Sequence, residues 1–211
     1  MEYETAEQDF EYMPMIILSS FEKLDDFLIL SYLFQKQTLA FVALRDLPNE
    51  RLIKLVSAVN YMIYFDNKPR GRYEIFRKIF LAFRDYNRSI VFSPDAAKKY
   101  ANEIVIEPAI LARLAIKANV PIVPVVLNWG RREQREKGKD KCSIWIGKKI
   151  FITPRSEEFR DIFYKRRGVR KYENLSEEEF REIGQRIFKK VEKRNQKDGS
   201  DISKEMAAGH I

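Results

Sequence analysis

The chain has 211 residues, of which 45% are hydrophobic and 33% charged, with 15 Phe and 10 Tyr. That balance supports one sizeable core and excludes a disordered or collagen-like chain. A net charge of +8 and a pI near 9.4 direct attention to anionic partners: phosphorylated substrates, lipid headgroups or nucleic acid. One cysteine, Cys142, excludes an internal disulfide and suits a reducing compartment. With no motif around it that suggests an activating base, Cys142 reads as a small residue near a strand and not a nucleophile. The only histidine is His210, beside the C-terminus. A histidine base in the folded core is therefore excluded by counting.

The start, MEYETAEQDFEYMP, is acidic and polar, unlike a signal peptide. No apolar run approaches the roughly 20 residues of a spanning helix. The expectation is a cytoplasmic protein, with any membrane contact peripheral and on the inner surface.

In chain order, Met15–Leu18 forms a short β-type run. Asp25 and Asp26 open the helix-like FLILSYLFQ, since acidic residues suit the positive end of a helix dipole. Ala40–Leu44 is the next strand, followed by helical spacing over Glu50–Met62 and a strand at Met62–Phe65. Tyr73–Phe83 places Ile75, Phe76, Ile79, Phe80 and Phe83 on one helical face. Ser89–Phe92 is a strand, and Pro108–Lys117 a helix with proline in its first turn. Ile122–Leu127 is a strand, and its Pro124 lacks a ladder donor, which implies an edge, bulge or strand end. Ser143–Ile146 and Ile150–Ile152 add strand character. Ser176 with Glu179 forms a capping box for the last helix, whose stripe is Phe180, Ile183, Ile187, Phe188 and Val191. Strands alternating with helices predict one α/β domain with a mostly parallel or mixed central sheet flanked by helices. Its expected limits are residues 14–193, between an extension over 1–13 and a polar tail over 194–211 that should fray.

Four ordered segments resemble the glycerolipid acyltransferases, the family of lysophosphatidic acid and glycerol 3-phosphate acyltransferases. In MIILSSFEKLDDFLILSYL, Phe21 stands where the family's first motif has histidine and Asp26 where it has aspartate. MIYFDNKPRGR follows the third strand where the family places a phosphate-binding cation, here Lys68, Arg70 or Arg72. SIVFSPDAAKK resembles Phe-Pro-Glu-Gly-Thr-Arg: Pro94 matches, while Asp95, Ala96, Ala97 and Lys98 replace the next four residues. Val120–Val125 reproduces the family's Val-Pro-Ile-Val-Pro-Val strand in full. The resemblance implies an acyltransferase-like fold over residues 14–193, with a site formed by Phe21, Asp26, Lys68, Arg70, Pro94, Asp95, Ala96 and Lys98. It implies no metal and no resident cofactor; an acyl-CoA or acyl-carrier-protein thioester would be the donor if the protein is active.

The family's reaction needs a base to deprotonate a glycerol hydroxyl, and an imidazole oriented by aspartate supplies it. Phe21 cannot accept a proton, and losing a positioned base costs about 10²–10⁴-fold in rate. Glu22, Asp25 or Asp26 could serve as a carboxylate base, although an acidic helix start is the plainer reading. Ser19 and Ser20 have no histidine partner and read as strand-end residues. Asp95 and Ala96 further reshape the phosphate turn, because alanine limits close backbone approach. Two basic stretches, Arg131–Lys141 and Arg160–Tyr172, suit a solvated face, an anionic membrane or a nucleic acid. Three readings follow. The first is an impaired or inactive acyltransferase-like protein that keeps a phospholipid, acyl or phosphate ligand or serves as a partner subunit. The second is an active acyltransferase of phospholipid biosynthesis with an atypical base. The third is a nucleic-acid- or protein-binding module on the same fold.

Overall fold

The computed structural model describes residues 2–5, 13–19, 21, 24–44, 61–65, 69–93, 108–129, 142–164 and 175–208. Seven strands form one sheet: β1 (Glu2–Thr5), β2 (Ile16–Ser19), β3 (Leu39–Leu44), β4 (Tyr61–Phe65), β5 (Ser89–Phe92), β6 (Ile122–Trp129) and β7 (Cys142–Ile146). Their spatial order is β1-β7-β6-β2-β5-β3-β4. From β6 to β4 every neighbouring pair is parallel. β7 runs antiparallel to β6, and β1 parallel to β7, so the sheet is mixed. The helices are α1 (Leu24–Leu33), α2 (Pro69–Arg84), α3 (Pro108–Ala118), the short α4 (Arg160–Tyr164) and α5 (Glu177–Ala208). The expected helix over Glu50–Met62 lies outside the described residues except for its last two, Tyr61 and Met62, which open β4.

Strand alternation divides the core into two layers, because successive side chains point to opposite faces. Ile16, Leu18, Ala40, Val42, Ile63, Ile90, Phe92, Ile122 and Val126 face α2, α3 and α5. Met15, Ile17, Leu39, Phe41, Met62, Val91, Val123, Val125, Ile144 and Ile146 face α1. The central strands are buried on both faces, as in parallel sheets covered by crossover helices. Asn119, with φ of 52°, ends α3 in the left-handed conformation, and the Val120 amide bonds back to the Ala115 carbonyl at 3.0 Å.

Pro124 occupies an interior strand, contrary to the edge, bulge or strand-end placement expected of it. Along a strand the nitrogen and carbonyl of one residue point to the same side. The Pro124 carbonyl accepts from the Gly147 amide at 2.9 Å. The proline nitrogen therefore faces Gly147, just past Ile146 where β7 ends, and takes no ladder bond from β2. Gly147 is required there: a Cβ would lie 2.7 Å from Pro124 Cγ and 2.5 Å from Trp145 Cη2. Of the one or two strands expected over Ser143–Ile146 and Ile150–Ile152, the first is β7, and the second is a single bridge from Ile150 to Ile122.

The ends of the chain join regular structure. Glu2–Thr5, within the segment expected to be an extension, forms the edge strand paired with β7. α5 begins at the capping box: the Glu179 amide donates to Ser176 Oγ at 3.3 Å, and the Ser176 amide donates to Glu179 Oε2 at 2.6 Å. The helix then runs through Ala208, past Arg194 where the polar tail was expected to fray. Its buried stripe, Phe180, Ile183, Ile187 and Val191, packs on α3 and the sheet. Among the described residues no helix is long and apolar enough to cross a membrane.

Candidate functional site

In an open parallel sheet, ligands bind at the carboxyl ends of strands whose outgoing connections diverge. The connection from β2 crosses over β5 to reach β3, and its helix α1 covers one face. The connection from β5 crosses over β2 to reach β6, and its helix α3 covers the other face. The divergence therefore falls between β2 and β5. Phe21 and Ser93 stand at the carboxyl ends of these two strands, beyond the Leu18–Phe92 pair. A long hydrogen bond of 3.5 Å runs from the Phe21 amide to Ser93 Oγ.

The Phe21 ring is 5% exposed. It meets Phe27 of α1 edge-on at 4.9 Å between centroids and Phe41 of β3 edge-on at 5.6 Å. Phe27 and Phe41 are themselves 4.9 Å apart. Edge-to-face rings at such distances add about 0.5–1.5 kcal/mol per pair beyond area burial. Three rings from β2's end, α1 and β3 thus pack together at the diverging strands.

Asp26, in the first turn of α1, is 5% exposed. Trp129, the last residue of β6, donates its indole N–H to Asp26 Oδ1 at 2.7 Å. A buried carboxylate requires hydrogen-bond partners, and the indole N–H of the half-buried Trp129 is suited by an acceptor. The pair meets both needs and ties the start of α1 to the end of β6. Trp129 was absent from the sequence-based site. Its signal was available: an indole at the end of a core strand must find an acceptor, and Asp25 and Asp26 were the acids predicted at that end.

Phe21 and Asp26, predicted five residues apart as the first motif, both lie in this region and both face inward. Arg70 is in the first turn of α2, immediately beyond β4. Lys68, Pro94, Asp95, Ala96 and Lys98 lie outside the described residues. Ser93, which precedes Pro94, lies beside Phe21. Ser19, read as a strand-end residue, is the last residue of β2 and is fully buried. Cys142, read from the sequence as a small residue near a strand, opens β7 and is buried in the α1-side layer. Among the described residues no cluster of His, Cys, Asp and Glu could hold a metal ion.

Fold and site together define a single α/β domain with a mixed seven-stranded sheet and an aromatic-filled end at its diverging strands. No family model matches the chain, and no curated protein matches it.

Proposed function

We propose that the chain is an acyltransferase-like protein in which the position of the catalytic base has become part of the core, so that it binds a lipid, acyl or phosphate ligand, or a partner subunit, without acyl transfer. One observation carries this reading. The residue in the histidine position, Phe21, is 5% exposed and packed by Phe27 and Phe41, and Asp26 is engaged by Trp129. A base must touch the hydroxyl it deprotonates. A buried phenyl ring cannot, and the aspartate that would orient an imidazole already accepts an indole N–H.

The same burial weighs against a carboxylate base at Asp26. A phosphate-bearing ligand is favoured at the ends of β4 and β5. Arg70 and Arg72 fall in the first turn of α2, which contains no acidic residue. Cations at the positive end of a helix dipole are unfavourable by about 0.3–1 kcal/mol each, a cost that an anion would relieve. Lys68 and Lys98 are the further cations proposed for that ligand.

The test is a transfer assay with acyl-CoA and acyl-carrier-protein thioesters against lysophosphatidic acid and glycerol 3-phosphate. The wild type should show no turnover. Phe21→His should recover little, since Asp26 is held by Trp129 and the Asp95–Ala96 turn remains altered. Robust wild-type turnover, lost on replacing Asp26 or Glu22, would overturn the inactive reading. Phosphate or lysophosphatidic acid binding should weaken in the triple variant of Lys68, Arg70 and Lys98 to alanine.

A further inference from the structure

Six large hydrophobic side chains are exposed among the described residues: Met13, Leu28, Tyr32, Tyr61, Tyr86 and Phe151. All but Leu28 collect at one place, the rim where the parallel strands begin, at the far end of the strands from Phe21. Met13 leads into β2, and its carbonyl accepts from the Gln37 side chain at 3.2 Å. Tyr32 lies in the last turn of α1, and Tyr61 is the first residue of β4. Tyr86 lies in the turn between α2 and β5, and Phe151 follows the bridge at the start of β6.

Within this rim Arg88 is held between two rings. Its guanidinium lies 4.2 Å from the Tyr61 centroid and 4.9 Å from that of Tyr86. A guanidinium so placed steadies both rings through cation–π attraction. The rings nevertheless remain 48% and 60% exposed. The helix ends and turns of the rim, residues 33–37, 84–88 and 117–121, carry Lys36, Arg84, Arg88 and Lys117 against a single acid, Asp85. Asp85 is paired with Arg84 at 2.6 Å. Helix dipoles account for Arg84 and Lys117, in the last turns of α2 and α3. They account neither for Arg88, which lies beyond α2 and spends its charge on two rings, nor for the exposed tyrosines.

We propose that this rim binds single-stranded nucleic acid, with bases stacking on Tyr61 and Tyr86 and the backbone phosphates meeting the surrounding cations. Stacking rings set among cations form the working surface of sequence-tolerant single-strand binders. The +8 net charge of the chain supplies the long-range attraction. A membrane surface is a poorer fit, because binding there calls for an amphipathic helix lying flat in the interface. Here α1, α2 and α3 meet the rim end-on. The rim and the Phe21 region occupy opposite ends of the strands, so this proposal is independent of the function proposed above.

The experiment measures fluorescence anisotropy of labelled oligouridylate and oligothymidylate with the full chain at low and at physiological salt. A duplex of the same length and an anionic phospholipid vesicle serve as comparison probes. Binding should favour the single strands and weaken with salt. Tyr61→Ala and Tyr86→Ala should each weaken it by about 5- to 150-fold, the worth of one stacked base. Tyr61→Phe and Tyr86→Phe should retain it, since the ring face survives, and all four variants should keep the wild-type circular dichroism and melting temperature. Absence of binding, affinity equal for duplex and single strand, or affinity unchanged in both alanine variants would overturn the proposal. So would a loss in those variants of vesicle binding alone.

Discussion

The indole N–H of Trp129 donates to the Asp26 carboxylate at 2.7 Å across 103 residues of sequence. The end of β6 and the start of α1 are thereby joined at the point where the strand connections diverge. A hydrogen bond to a charged acceptor contributes about 1.5–3 kcal/mol. Trp129→Phe removes the donor together with part of the ring, so it should lower unfolding stability by at least that amount in urea titration. A double-mutant cycle with Asp26→Asn should show a coupling of about 0.5–3 kcal/mol. Additive effects of the two substitutions would mean that the contact carries no net energy.

Phe21 should behave as a core residue. Phe21→Ala empties a space bounded by Phe27 and Phe41, and aromatic truncations of this kind cost about 3–5 kcal/mol. Phe21→Leu, which fills most of the volume, should cost far less. Calorimetric melting of the two variants checks this. Equal, small losses for both would show that the ring is dispensable to the core.

Gly184 should resist substitution although it lies inside a helix. Alanine is favoured over glycine there by about 1 kcal/mol of intrinsic propensity. A Cβ at this position, however, would stand 2.0 Å from the Pro108 carbonyl oxygen at the start of α3. Backbone cannot rotate aside as a side chain can, so α3 and α5 must separate. Overpacking costs about 1–3 kcal/mol, which exceeds the propensity gain. Gly184→Ala should therefore lower the melting temperature, whereas Gln185→Ala on the exposed side should not.

Acid should weaken the tie between α5 and α4. Arg186 holds both oxygens of Asp161, at 2.8 and 2.6 Å, and donates also to Glu182 and the Glu158 carbonyl. The guanidinium hydrogen bonds lower the Asp161 carboxyl from 3.8 to about 2. A pKa depressed in the folded state contributes stability above the unfolded value and loses it as pH falls through the folded one. The stability difference between wild type and Asp161→Asn should thus be present at neutral pH and disappear between 3.8 and about 2. Because the pair is exposed, salt should shrink the difference. A gap that is independent of pH across this window would assign the effect to something other than the ion pair.

Much of the secondary structure was legible in the sequence because it depends on local pattern. The 3.6-residue spacing of Ile75, Ile79 and Phe83 marked α2, and Ser176 with Glu179 marked the start of α5. The apolar runs at Ser89–Phe92 and Ile122–Leu127 marked β5 and β6. Alternation of strands and helices was enough to indicate an α/β domain with a mostly parallel or mixed sheet. That the one histidine of the chain is His210, beside the C-terminus, needed no coordinates at all.

Relations between distant residues were decided by the tertiary structure alone. Pro124 read as an edge residue because proline lacks a donor; it is interior because β7 ends one residue short and leaves that donor unneeded. Gly184 carried no message until α3 crossed it, and Glu2–Thr5 became a strand only because β7 presented an edge for it. At the candidate site, the sequence placed Phe21 and Asp26 together, since five residues cannot carry them far apart. That Phe21 would be enclosed by rings from α1 and β3, and Asp26 met by Trp129, depended on which strands lie side by side. Local pattern specifies burial and periodicity; the choice of neighbours is made by packing energy summed over the whole sheet.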